Sequence, residues 1–332
     1  MTTSRLPKLS VHNLLTAPVT ELRNILDKLI DLRSYPVKDE LSALLKDKTS
    51  GKNIIFATDS YANNGEGFGA ENEITAAKLG GIDPLAIQPR VTKDAGDQSD
   101  RTRKKAEVFT PSWLCARMNN ILDEEWFGRK VVFNRITGNE WEINEEKVEF
   151  PADKNWMEYV DSRRLEITCG EAPFLVSRYD TVTGELIIPP KKRIGILDRK
   201  LRIVNENTDN YDDWVSWTLR AFESCYGFEY QGDNLLIARI NFLMTFCDYY
   251  EDRWGKKVDD KKLLNKITNI ICWNLWQMDG LTDSLPQGVK VAEGHQYSFF
   301  ESEENEVAGT AMPCKIKDWR AGKTVLYRNM KE

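Results

Sequence analysis

Three short apolar runs in the second half of this chain each lead to an acid, and that recurrence constrains the fold more than any other feature. Leu165-Glu166-Ile167 enters a Thr168-Cys169-Gly170 turn, Cys225-Tyr226-Gly227-Phe228 ends on Glu229, and Ile270 to Trp276 leads to Asp279. Stretches of helical spacing separate them. Trp214, Trp217 and Phe222 precede the second run; Leu236, Ile240, Leu243 and Cys247, then Leu263, Leu264 and Ile267, precede the third. Strand and helix alternating in this way predict an α/β fold with parallel strands. In an open parallel sheet the ligand crevice lies outside the carboxyl ends of the strands, so three acids there predict one crevice. A carboxylate ending the second strand, Glu229, suits both hydroxyls of a ribose. A surface glutamate at a turn is the other reading of that residue.

The first half reads differently. Residues 1–50 predict a helical region, with Thr16-Ala17-Pro18 as a helix start. Leu22, Ile25, Leu26, Leu29 and Ile30 follow at helical spacing, and a second short helix is expected over Asp39 to Leu45. Residues 51–105 form a loop-rich connector with a short strand, Asn53 to Ala57, and a short helix. Gly65-Glu66-Gly67-Phe68-Gly69 fits neither dinucleotide nor P-loop glycine spacing and reads as a surface loop. The charged stretch 90–105 reads as a solvated linker. Thr110 and Pro111 then read as cap and first residue of a helix whose buried face is Leu114, Met118, Ile121 and Leu122. A hairpin is expected from Val131 to Ile143, a short strand at Ile194 to Leu197, and loop at 205–213. The end of the chain is read as having no further strand.

Composition removes several function classes. With 332 residues, 41% hydrophobic and 30% charged, the chain has the make-up of a soluble globular protein. Ten Trp are many for this length, and several are expected to line a cleft or an interface. No run reaches the ~18 apolar residues of a membrane span and no charged-then-apolar leader opens the chain, so a cytoplasmic protein without membrane contact is expected. Six cysteines without a Cys-x-x-Cys pair, and only His12 and His295, argue for reduced thiols and against a zinc site or any other metal. A net charge of −6 argues against a complete duplex-DNA clamp in this chain alone.

Four segments in register resemble a known family. Glu107-Val108-Phe109-Thr110-Pro111 is similar to the Phe-Thr-Pro motif of γ-class adenine-N6 DNA methyltransferases, the modification enzymes of restriction–modification systems. Glu166-Ile167-Thr168-Cys169-Gly170-Glu171-Ala172-Pro173-Phe174-Leu175 resembles their S-adenosylmethionine motif, Asp-Pro-x-Cys-Gly-x-Gly-x-Phe-Leu. Tyr226 to Glu229 with the helix from Leu236 to Leu243, and Asn274 to Leu281, resemble the next two cofactor segments. The resemblance covers roughly residues 100–330. It implies a partial Rossmann-like S-adenosylmethionine-dependent methyltransferase fold over 106–332, behind a mainly helical N-terminal region. It also implies that Phe109, Thr110 and Pro111 flank the methionine end of the cofactor, and that Glu166 and the backbone at Gly170 hold its amino-acid moiety. Glu229 would take the ribose and Asp279 the adenine amino group, with Thr168, Gly280 and Leu281 in the same pocket.

The departures are as informative. Glu166-Ile167 replaces Asp-Pro, and Ala172-Pro173 stands where the second glycine and its follower belong, putting a Cβ and a rigid ring where the backbone should be permissive. Gly170 to Glu229 spans 229 − 170 = 59 positions, which implies an insertion between the first two strands. The Asn-Pro-Pro-Tyr tetrapeptide that holds the flipped adenine is missing, since the only Pro-Pro is Ile188-Pro189-Pro190-Lys191. No catalytic residue is therefore assigned, and a target-recognition region is also missing. The expectation is the cofactor-binding part of a methyltransferase that meets DNA together with another chain, either a further subunit or the C-terminal half. A non-catalytic remnant engaging a restriction or methylation partner is the alternative, and another nucleoside-ligand enzyme on the same fold is the third reading.

Overall fold

Local side-chain caps start three of the helices. In the computed structural model, which describes residues 29–80, 87–92, 110–287 and 311–330, the Asp260 carboxylate accepts from the N–H groups of Lys262 and Leu263. The Asn210 and Asn155 side chains do the same at Asp213 and Glu158. Each satisfies donors that a helix start leaves without a partner. In chain order the helices are α1 (Val37–Leu44), α2 (Ala76–Gly80), α3 (Ser112–Phe127), α4 (Trp156–Asp161), α5 (Ile196–Asn207), α6 (Tyr211–Glu223), α7 (Gly232–Trp254) and α8 (Lys261–Asn274). The strands are β1 (Asn134–Thr137), β2 (Glu140–Ile143), β3 (Arg164–Ile167), β4 (Cys225–Glu229), β5 (Leu275–Gln277), β6 (Lys315–Asp318) and β7 (Lys323–Leu326).

The fold is α/β. β3, β4 and β5 form a parallel sheet in that order, with Leu165 opposite Tyr226, Ile167 opposite Phe228, and Phe228 opposite Trp276. Each step across the sheet is made by a helix pair, α5 and α6 and then α7 and α8, because parallel neighbours need a long crossover. The helices cover one face. There Trp214, Phe222, Phe246 and Tyr250 meet edge to face or tilted at 5.7–6.3 Å, each pair adding about 0.5–1.5 kcal/mol beyond burial. On the other face Phe228, Trp276 and Tyr327 cluster at 5.2–5.9 Å beneath the β6–β7 hairpin. α1 packs on α7 and α8, so residues from Leu29 onward share the core of the sheet helices.

Several expectations change. The run from Ile270 is not a strand: Leu263, Leu264, Ile267, Ile270 and Ile271 fill one buried face of α8, and extended structure begins only at Leu275. Asn53 to Ala57 makes isolated bridges at Asn53 and Ile55 instead of a strand. Ile196 and Leu197 open a helix, which runs to Asn207 through part of the expected loop, and β7 adds a strand near the chain end. Thr110 does not cap α3. The cap comes from another segment: Asp180 accepts from Ser112 N–H at 2.8 Å. α3 is also turned over relative to its apolar pattern. Cys115, Ala116, Asn119, Asp123 and Phe127 face inward, while Met118, Ile121 and Leu122 are 40–60% exposed. Polar bonds set this orientation, since Asn119 donates to Phe174 and Ile194 carbonyls and Asp123 pairs with Arg199 in the interior. Trp214 and Trp276 are core residues, not cleft residues.

α6, β4 and α7 lie where expected; the hairpin is present, but its first strand is Asn134–Thr137 and Val131 to Phe133 precede it, and the glycines at 65–69 lie in a loop. The helix start at Thr16, Phe109 and most of the 90–105 linker lie outside the described residues. No helix among the described residues is long and apolar enough to cross a membrane.

Candidate functional site

The turn leaving β3 is fastened by three buried carboxylates. Cys169 N–H donates to Phe228 C=O at 2.8 Å, extending the β3–β4 pairing beyond Ile167. Gly170 then takes φ +54° and Ala172 φ +65°, both in the left-handed region. Glu166 lies on the helix-facing side of the sheet and accepts from Leu175 N–H at 3.2 Å and Phe174 N–H at 3.5 Å. Burial pushes its carboxyl well above the usual carboxylate range. Glu171 accepts from Arg90 N–H at 2.8 Å and from the Tyr179 hydroxyl at 2.7 Å. Glu229, the third, accepts from Gly170 N–H at 2.9 Å across the crevice. Ala172 holds a conformation that costs a non-glycine residue about 1–2 kcal/mol. Its methyl, fully buried in the main core, offsets part of that.

A helical turn follows, and it is interrupted. Leu175 and Val176 N–H groups bond to Ala172 C=O, making one turn, and the chain then leaves. It returns at α5, where Ile196 and Leu197 N–H groups bond to Phe174 and Leu175 carbonyls. Residues 176–195 are thus an excursion within a first helical turn, and they account for part of the long interval between β3 and β4. Asp198 fixes its base, accepting from Ser177 N–H at 2.8 Å and Ser177 Oγ at 3.2 Å. Its Oδ1 has no hydrogen-bond partner among the described residues. Burial, opposed by Arg193, pushes this carboxyl up from 3.8 to about 6. A raised carboxyl pKa means a stability contribution that is whole below the unfolded value and lost as pH climbs through the folded one. Asp198→Asn should therefore flatten the fall in stability between ~pH 4 and ~pH 7 by about 3 kcal/mol relative to wild type. Urea unfolding at the two pH values checks this, and an unchanged pH slope would refute it.

Glu229 closes β4 and is 5% exposed. Besides Gly170 N–H it accepts from Gln231 N–H at 3.0 Å. The connector packs behind it. Gly232 N–H bonds to Phe56 C=O, and any Cβ at Gly232 would stand 2.0 Å from the Ile55 carbonyl oxygen, so only glycine fits. Gln277, opposite Glu229 in β5, both donates to and accepts from the Ile55 backbone, at 2.8 and 2.9 Å. Met278 N–H bonds to Glu229 C=O, which sets Asp279 beyond the end of the third strand. Asp279 Oδ1 accepts from Leu281 N–H at 2.9 Å in a tight turn. Gly280 lies against the Phe228 ring, and Leu281 is 96% exposed. Tyr230 stands between the second and third strand ends; burial raises its pKa first and the Asp279 charge second.

The sheet thus brings Gly170, Glu229 and Asp279 together at one end. Thr168 is exposed beside them. Glu166 lies lower, paired with Gly227, and its carboxylate binds the turn itself. Thr110 and Pro111 precede α3, where Thr110 C=O accepts from Thr181 Oγ1 at 3.0 Å. Sequence reasoning missed Gln231, Gln277 and the Ile55 backbone. A glutamine in an otherwise apolar β5 was the available signal.

The chemistry of this set suits a nucleoside-like ligand. A carboxylate at the end of a central strand can accept from hydroxyl and N–H donors alike, and Glu229 accepts from two backbone N–H groups there. Among the described residues, its chain neighbours apart, no atom lies within 4 Å of where a Cβ would stand on Gly170, which leaves that backbone approachable. Among the described residues there is no cluster of His, Cys, Asp and Glu able to hold a metal ion. Compared with known protein families, with curated proteins and with solved structures, the chain matches none.

Proposed function

We propose that this chain is the S-adenosylmethionine-binding part of an adenine-N6 DNA methyltransferase of a restriction–modification system, built on a partial Rossmann-like sheet. The observation carrying this reading is the Glu229 carboxylate at the end of the central strand, bonded to Gly170 in the turn of the neighbouring strand. Glu229 takes the ribose hydroxyls, the Gly170 backbone meets the amino-acid moiety, and Asp279 takes the adenine amino group beside Gly280. Glu166 positions the turn and touches no cofactor. When bound, the cofactor supplies an activated methyl group, and the chain's own contribution is to hold and orient it. The Asn-Pro-Pro-Tyr segment is absent from this sequence, so the target-adenine pocket and base recognition are supplied by residues outside it, in a further subunit or a C-terminal half.

A second reading has its own support. Both Glu229 oxygens already accept from backbone N–H groups, which would suffice for a purely structural acid in a non-catalytic remnant. Calorimetric titration with S-adenosylmethionine and its demethylated product separates the two. The first reading expects saturable binding without methyl transfer to DNA. No heat at millimolar cofactor with folded protein would leave the remnant, and methyl transfer by the chain alone would refute both.

A further inference from the structure

The excursion at 176–195 bonds to both segments assigned to the amino-acid end of the ligand. Loops ordinarily run over the surface with their polar groups solvated. Here Arg178, Tyr179 and Thr181 are buried. Toward the Gly170 turn, the Tyr179 hydroxyl donates to the Glu171 carboxylate at 2.7 Å. Toward the start of α3, the Thr181 hydroxyl donates to Thr110 C=O at 3.0 Å, and Asp180 Oδ2 accepts from Ser112 N–H at 2.8 Å. Neighbouring residues of one strip thus hold Thr110 and Glu171, which are 171 − 110 = 61 positions apart. The strip has little freedom of its own. Asp180 Oδ1 accepts from Val182 and Thr183 N–H at 2.9 and 2.7 Å, closing a turn beneath it. Asp180 N–H donates to Glu185 C=O and Ile187 N–H to Arg178 C=O, which pairs the strip with the returning chain. Arg178 donates to Asp248 of α7 at 3.2 Å and to Leu29 C=O at 2.9 Å. Asn241 of α7 donates to Tyr179 Oη and to Glu171 C=O, both at 3.2 Å. A shift of the strip therefore disturbs bonds to α7, to the start of α3 and to the Gly170 turn together.

We infer that Tyr179, Asp180 and Thr181 are positioning residues that lock the start of α3 and the Gly170 turn into one unit, so that Thr110–Pro111 and the Gly170 backbone meet the α-amino-acid end of a ligand together. Each acts through Glu171, Thr110 or Ser112 and touches no ligand. The long interval between β3 and β4 thereby gains a role, since the chain inserted there assembles the site from two remote segments. The amino-acid end is assigned by the cofactor reading, and the lock stands on its own hydrogen bonds without it.

The test uses the full chain and two variants that each remove one hydroxyl at nearly constant shape, Tyr179→Phe and Thr181→Val. Circular dichroism verifies that they fold. Hydrogen exchange without ligand is read at Ser112 and Ala172, whose N–H groups bond to Asp180 and to Cys169 C=O. Each variant should speed exchange at both amides at least about threefold, because a locked unit opens as a whole. Faster exchange only in the segment that the lost hydroxyl touched, or in neither, would overturn the inference. Calorimetry then reads the ligand. Both variants should bind S-adenosylmethionine at least about fivefold more weakly and adenosine, which lacks the amino-acid end, as wild type does. Equal weakening of the two ligands would mark general loosening, and unchanged S-adenosylmethionine affinity would mean that the site needs no lock; either result sinks the positioning role. Wild type that binds neither ligand while exchange at the two amides stays coupled would remove the cofactor reading and leave the lock in place.

Discussion

Arg239→Ala is expected to lower the unfolding free energy by about 3–5 kcal/mol. Arg239 is fully buried and has no carboxylate partner among the described residues. Its guanidinium instead donates to carbonyls at the ends of two helices: Leu44 and Lys46 at the end of α1, and Cys272 and Leu275 at the end of α8. Helix C-termini carry partial negative charge and carbonyls without intrahelical partners, so a buried cation is stabilised there without an acid. Removing it leaves several buried acceptors without donors, and each costs about 1–3 kcal/mol. Arg239→Lys should recover only part, because a compact ammonium cannot span both helix ends as the planar fork does. The measurement is the urea midpoint at constant slope. A loss below about 1 kcal/mol for the alanine variant would mean that this bridge does not hold α1 to the sheet helices.

That bridge also shows where reading the sequence stops. Arg239 falls inside an apolar helix pattern, and nothing in its neighbours announces carbonyls from a segment nearly two hundred residues earlier. Features with local causes were legible: the 3.6-residue spacing of α7, and β4 ending on Glu229. Features decided by distant partners were not. α3 looks like a helix buried by Leu114, Met118, Ile121 and Leu122, but Asn119 and Asp123 find buried partners in Ile194 and Arg199 and turn it over. The helix after β3 was hidden because its first turn and its body are separated by 176–195, so no window contains the period. Ile270 to Trp276 is β-branched and aromatic enough to read as a strand, while its i, i+4 partners Leu263 and Ile267 decide for a helix. The site was legible as acids at strand ends. That Glu166 faces the helices, two residues below Glu229, follows only from the register.

Glu229→Gln should reduce affinity for S-adenosylmethionine at least about 100-fold, the value of two charge-assisted hydrogen bonds at about 1.5 kcal/mol or more each. The substitution keeps the shape of the side chain but leaves one acceptor oxygen where two backbone N–H groups, of Gly170 and Gln231, now find one each. The new amide N–H₂ must therefore face one of those donors, so about 1–3 kcal/mol of stability should be lost as well. Stability and binding have to be read separately, and Asp279→Asn provides the control. Asp279 is half-buried and accepts from Leu281 N–H within its own turn, so its amide variant should leave the Gly170 turn intact. If both variants weaken the cofactor while only Glu229→Gln lowers the urea midpoint, ligand contact and scaffold are resolved as two roles of the same carboxylate. If Glu229→Gln lowers the midpoint but binds cofactor as wild type does, Glu229 is a brace between two strand ends and the ribose assignment is wrong. If the demethylated product binds wild type and Asp279→Asn equally, Asp279 does not read the adenine amino group, and the ligand sits nearer Tyr230 and the β4 end than the third strand.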